Sequence, residues 1–304
     1  MDIFSAILIV LGLILFETVS SLDNAVINAQ VLSTMSQRGR RWFMVYGFFV
    51  AVFLIRGLLP FLIVWAANPS LGPLGAFTAA FSSDPRIHES IESSTPILLL
   101  GGGTFLILLF FHWLFLEPKA FGIRGERFIQ SKGMWFYAVA SVILLVLLWF
   151  SFQIRPAMAV GTFVGALSFF ITNGFKENAE KAEKGLLSKH ARSDINKIIY
   201  LEAIDATFSI DGVLGAFAFT LSIPLIILGN GIGAFIVRSL TVRSIDSLKK
   251  YKFLKNGAMY SVFFLGCVML TDSFGFSIPG WVPPIITFLV ILYFFYKSKS
   301  AVSK

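Results

Sequence analysis

The sequence predicts an all-α fold, a polytopic membrane helix bundle of about nine transmembrane helices built on an inverted-topology repeat. Three observations carry this. Hydrophobic residues make up 56% of the 304 positions and charged residues 14%, with a mean hydropathy of +0.80, more apolar than a soluble domain sustains. Apolar runs of roughly 20 residues, the length that crosses a bilayer, recur along the chain. The basic residues collect in alternate connections, as cytoplasmic loops require.

Taken in order, helices are expected near 3–33, 43–66, 96–116, 134–153, 157–175, 196–220, 223–242, 257–275 and 281–297. The first is long for one span, and Pro156 and Pro224 mark uncertain starts, so eight remains an open count. Met1-Asp2-Ile3 lacks the basic region of a signal peptide, and the N-terminus is expected to be retained. Of the 25 Lys and Arg, all but Arg56, Arg86, Arg155 and Arg238 fall after helices one, three, five and seven or in the tail. That pattern puts the N-terminus outside and the C-terminus in the cytoplasm, with the inner (plasma) membrane as the expected location.

The most informative stretch is Glu17-Thr-Val-Ser-Ser-Leu-Asp23-Asn24, where two carboxylates stand inside an apolar run. Ionisable groups are expensive in lipid, and an intramembrane acid is a functional-site candidate by default. The stretch occurs twice. In Asp205-Ala-Thr-Phe-Ser209-Ile-Asp211-Gly212, Asp205 answers Glu17, Ser209 answers Ser21, Asp211 answers Asp23 and Gly212 answers Asn24. Under the expected topology the two motifs run in opposite directions. The chain then divides into a first three-helix repeat (1–117), linking helices and a cytoplasmic loop (118–195), a second, inverted repeat (196–275) and a final helix with its tail (276–304).

On a straight helix Glu17, Ser21, Asn24 and Asn28 form one stripe, while Asp23 lies about 120° away. Either the helix unwinds near Ser20-Ser21 or Asp23 faces another helix. In the second motif Glu202, Asp205 and Ser209 share a stripe with Asp211 off it, and Gly212 would ease unwinding. Arg56 and Arg238 lie in the helices that follow each motif and are expected to face the acids. Carboxylate, amide and hydroxyl oxygens suit Mg2+, Mn2+ or Ca2+. The single cysteine, Cys267, rules out an intramolecular disulfide and a cysteine-rich metal site. The candidate metal set is therefore Glu17, Ser21, Asp23, Asn24, Asp205, Ser209 and Asp211, supported by Glu202, Arg56 and Arg238.

The repeated acid-x3-Ser-x-Asp-Asn/Gly pattern, with Ile55-Arg56-Gly57 and Val237-Arg238-Ser239 after it, resembles the TerC-type integral membrane family within the LysE-like transporter superfamily. The resemblance implies efflux of a divalent metal, Mn2+ first, with links to tellurium resistance. The cation would be cargo, with no permanently bound cofactor, and protons are a candidate coupling ion. Beside it stand a non-transporting scaffold in envelope or metal stress and an exporter of an amino acid or another organic cation. Phe16, Phe208 and Trp42 do not decide between metal and organic cargo.

Remaining features are weaker. Asn173, Asn230 and Asp272 are candidates for a polar path, His112 reads as a packed core residue, and His88 and His190 as loop residues. The 67–95 loop carries Asp84, Arg86, Glu89 and Glu92 and is expected to be solvated, helical in part after Pro85. Lys176 begins a run of acids and bases that reads as a solvated helix end. Gly101-Gly-Gly103, Gly161-x3-Gly165 and Gly229-Asn-Gly231-Ile-Gly233 are expected close-packing points. The net charge of +8 lies between spans, so nucleic acid is not an expected partner; a homo-oligomer is left open. Neither a phosphate loop nor a nucleophile elbow is present, and no enzyme activity is expected.

Overall fold

The computed structural model describes residues 2–67, 69, 72–79, 85–186, 193–243 and 250–302. Within them the side chains of 23, 27, 53–55, 67, 76, 79, 85–92, 179–186, 242–243 and 302 are left aside. The described residues contain helices and no strands. They are α1 (Ile3–Ser20), α2 (Leu22–Ser33), α3 (Gln37–Trp42), α4 (Gly57–Ala67), α5 (Gly72–Ala79), α6 (Pro85–Leu116), α7 (Glu126–Gln130), α8 (Phe136–Ile154), α9 (Met158–Leu186), α10 (Asp194–Ala216), α11 (Ile223–Arg243), α12 (Leu254–Ser273) and α13 (Val282–Val302). Between α3 and α4 the chain stays helical but widens into π-helix at Phe43–Gly47 and Val50–Arg56.

Among the described residues eight helices are long and apolar enough to cross a membrane, one fewer than the nine expected. The difference is α10. At 23 residues it is long enough, but Asp194, Lys197, Glu202, Asp205 and Asp211 make it too polar to count by composition. The break at Ser21 lies between the two halves of the first expected span, and it is slight. Backbone bonds still run across it, from Ser21 N–H to Glu17 O at 3.1 Å and from Ala25 N–H to Ser21 O at 3.0 Å. The chain after Pro85 is helical, as expected; Asp84 and the side chains of Arg86, His88, Glu89 and Glu92 lie outside what is described, as does His190.

The main core lies between α1, α6, α11 and α12, around Leu13, Phe16, Phe105, Leu106, Trp113 and Leu265. Helix α6 meets α9 backbone to backbone, because Gly101 and Gly165 leave no side chain between them; a Cβ on Gly165 would strike the Gly101 carbonyl. Polar ties finish the helix ends. Ser193 Oγ accepts from Asn196 N–H to start α10, and Asp194 reaches across to accept from Ser36 N–H. Lys119 Nζ donates to the carbonyls of Trp113 and Leu114, each at 2.6 Å, closing α6. Glu126, buried, takes hydrogen bonds from Gly122 N–H (2.6 Å), Asn256 Nδ2 (3.2 Å) and Tyr260 OH (3.0 Å), fastening the 117–130 segment to α12.

At that end Glu117 pairs with Lys255 at 2.9 Å and lies 3.6 Å from His112 Nδ1. Burial acts to raise its pKa, but His112 and Lys255 outweigh it and hold the carboxyl at about 2 instead of 4.5. A depressed carboxylate stabilises the fold above its unfolded pKa, and the contribution disappears as pH falls from 4.5 towards 2. A third of the Glu117 side chain is exposed, so the loss is screened to about 1 kcal/mol or less. We expect the thermal midpoint to fall over that window more in the wild type than in Glu117→Gln. Parallel pH profiles would exclude the pairing.

Candidate functional site

Contacts between the two motif helices run antiparallel. Phe16 packs at Gly215, Glu17 at Gly212, and Asn24 at Asp205, so residue numbers rise on α1–α2 as they fall on α10. This brings the first motif's stripe against the second motif's acids. Glu17, 1% exposed, accepts from Arg56 Nη2 at 2.8 Å and Nε at 3.1 Å, and from Ser21 Oγ at 2.9 Å. All three bonds fall on Oε1. Arg56 ends the π-helical stretch, and π turns of this kind recur at functional sites.

Asp205 is where the two motifs meet. Its Oδ1 accepts from Asn24 Nδ2, and its Oδ2 lies 3.8 Å from Arg56 Nη1 and 3.7 Å from Arg238 Nη2. Arg238 is closer to Glu202, at 3.2 Å, so in the second half the main ion pair sits one turn from the position that matches Glu17. The Arg238 guanidinium also stacks 4.1 Å from the Phe43 ring centre. Three carboxylates face two guanidinium groups, which leaves one negative charge uncompensated if all are ionised.

Ser21, Asn24, Asn28, Arg56, Asp205 and Arg238 line a cavity of about 20 Å³, room for roughly one water-sized occupant. Asn24 Oδ1, Asn28 Oδ1, Glu202 Oε2 and Arg238 Nη1 are buried there or beside it, without a hydrogen-bond partner among the described residues. Buried polar atoms are normally paired, and such a group of exceptions marks a polar spot with unused coordinating capacity. No three or more His, Cys, Asp or Glu among the described residues come close enough to hold a metal by themselves, since arginines stand between the acids.

Not every candidate joins this cluster. Ser209 donates to the Asp205 carbonyl within its own helix. Asp211, a member of the candidate metal set, instead pairs with Lys176 of α9 and lines a cavity other than the one at Asp205. The reason is rotational: six residues turn a helix through about 600°, placing Asp211 some 120° from Asp205. Lys176 is correspondingly turned inward and is not the start of a solvated helix end. The side chain of Asp23 lies outside the described residues.

Gly212 does not unwind α10, which is regular from Asp194 to Ala216. Its missing side chain makes space for Glu17 Oε2. We expect Gly212→Ala to destabilise the protein by about 1–3 kcal/mol, because Arg56 and Ser21 prevent Glu17 from withdrawing. A double-mutant cycle with Glu17→Ala checks this by thermal unfolding: the penalty should vanish in that background, and one that persists would place the clash elsewhere.

Among the other candidates, Asn230 is fully buried with neither polar atom partnered among the described residues. It stands on α11 between Gly229, packed on Leu13, and Gly233, packed on Glu17. Asn173 bonds Glu177 in its own helix, and Asp272 accepts from Ile278 N–H in the turn after α12. His112 packs against Phe136 and Phe169, as a core residue.

A family model described as "Protein of unknown function (DUF475)" matches residues 22–302. No curated protein and no solved structure matches the chain.

Proposed function

Because the chain belongs to the DUF475 family, whose description assigns no activity, we propose its function from the buried site: transport of a divalent metal cation, Mn2+ first, out of the cell by alternating access. The observation that carries this reading is Asp205, shared at the meeting of the two motif helices by Asn24 and by Arg56 and Arg238, which stand on helices apolar enough to cross a membrane. The unpartnered oxygens of Asn24, Asn28 and Glu202 near it are ligands that suit a hard cation. A cavity of about 20 Å³ favours a bare ion over an amino acid, since small-molecule sites run to ~300 Å³ and more. The resemblance of the two motifs to TerC-type proteins points the same way.

In this reading Arg56 and Arg238 are internal counter-ions. They hold the carboxylates until a divalent ion competes for the same oxygens, so no more than one negative charge is left uncompensated in low dielectric. A second reading, a non-transporting membrane scaffold, draws on the fact that Glu17 and Glu202 each have an arginine and need no ion. Proteoliposomes separate the two. Flux of Mn2+ above that of Mg2+ and Ca2+ is expected in a panel of ions, and absence of flux for every divalent ion with folded protein favours the scaffold. A pH gradient imposed at fixed membrane potential tests coupling, because proton exchange makes the flux follow the gradient.

A further inference from the structure

A second cavity is lined from the same two motif helices. Its volume is about 40 Å³, room for roughly two water-sized occupants, and Phe16, Ser20, Phe208, Asp211 and Lys255 are among the residues that line it. Neighbouring residues of the first motif serve the two spaces: Ser20 faces the second cavity and Ser21 the first. Glu17 follows Phe16, which lines the second cavity, and lies one turn before Ser21, which lines the first. Its Oε1 is held by Arg56 and Ser21 on one side, and its Oε2 lies against Gly212, the residue after Asp211. Asp211 is six residues beyond Asp205, about 9 Å along α10.

Only one of the Asp211 oxygens is engaged. Lys176 Nζ bonds Oδ2, while Oδ1 is buried without a partner among the described residues. The pair is shielded from solvent, with 14% of the Lys176 side chain and 15% of the Asp211 side chain exposed. The ammonium also sits 4.8 Å from the Phe208 ring centre, a site that accepts a cation on its π face. A buried ion pair offsets its desolvation best when further hydrogen bonds satisfy the remaining carboxylate oxygen. Here the acid keeps coordinating capacity beside a cavity, and the cation that fills it is a single charge on a flexible four-carbon stem.

We propose that Lys176 is a tethered competitor cation, which occupies Asp211 as a second cation subsite and must swing away before a divalent ion binds there. This rests on the reading of Asp205 as a cation site and adds a partner to it. Glu17, bonded to Ser21 and Arg56 of the first cavity and lying against Gly212 beside Asp211, is the group placed to pass an ion between the two. Lys176 then sets how strongly a cation is admitted, because a divalent ion displaces it more effectively than a monovalent one.

The test uses the full chain in lipid nanodiscs, titrated with Mn2+ alone and read by electron paramagnetic resonance of the free ion. At Mn2+ concentrations that fill only the Asp205 site of the wild type, Lys176→Met is expected to bind one more Mn2+ per chain than the wild type, and Lys176→Met/Asp211→Asn to return to the wild-type number. Equal stoichiometry in Lys176→Met and wild type overturns the proposal. Removing the ammonium leaves a buried acid unpaired, and the variant is therefore also unfolded thermally with and without Mn2+. If it folds in neither condition while the neutral double variant folds, the pair is structural and the proposal fails. A wild type that binds no Mn2+ removes the reading of the Asp205 cavity, whereas the difference between Lys176→Met and wild type still decides this one.

Discussion

Arg56→Met is expected to lower the unfolding free energy by about 3–5 kcal/mol, the range found when one partner of a buried ion pair is removed. Arg56 is 3% exposed and Glu17 1%, so water cannot replace the lost guanidinium. The change removes two hydrogen bonds to Glu17 Oε1 and one of the two positive charges near Asp205. Pairing the substitution with Glu17→Gln should recover most of the loss, because the remaining partner is then neutral. Thermal and denaturant unfolding in detergent measure both variants. A single variant within about 1 kcal/mol of wild type would mean that Glu17 is neutral or solvated, and would remove the counter-ion role.

Asp205→Asn is expected to reduce Mn2+ affinity and flux by about tenfold to a hundredfold or more while the protein stays folded. Even residues that only support a metal ligand alter affinity on that scale. Asparagine keeps the size of the side chain, and its amide oxygen can still accept from Asn24. It removes the negative charge that both arginines approach, at 3.8 and 3.7 Å, and leaves Arg238 its pair with Glu202. Folding should therefore survive better than in Arg56→Met. Calorimetric titration with Mn2+ and flux in proteoliposomes check the outcome, and wild-type behaviour in both would sink the cation-site reading.

Much of this site was legible in the chain because charge is conspicuous in an apolar run. Glu17, Asp205, Arg56 and Arg238 stand out against their surroundings without any structure, and helical periodicity placed Ser21, Asn24 and Asn28 on the face that lines the first cavity. The same arithmetic put Asp211 off the stripe, and it does face the other way. Its partner was not legible. Lys176 is 35 residues away, at the head of a basic run that looks like a cytoplasmic helix end, and nothing local distinguishes a lysine turned inward from one turned to water.

Composition and period by themselves determined that this protein is an all-helical, multispanning membrane protein with two acid-bearing helices, because transfer of apolar side chains into lipid and the need to satisfy the backbone there act on each segment alone. Only the tertiary structure decided which acid meets which cation. Pairing depends on the rotation and depth of neighbouring helices, which are set by close contacts such as Gly212 on Glu17 and Gly165 on Gly101. It was also packing that kept α10 helical through five charged positions, by giving Glu202, Asp205 and Asp211 buried partners that lipid cannot offer.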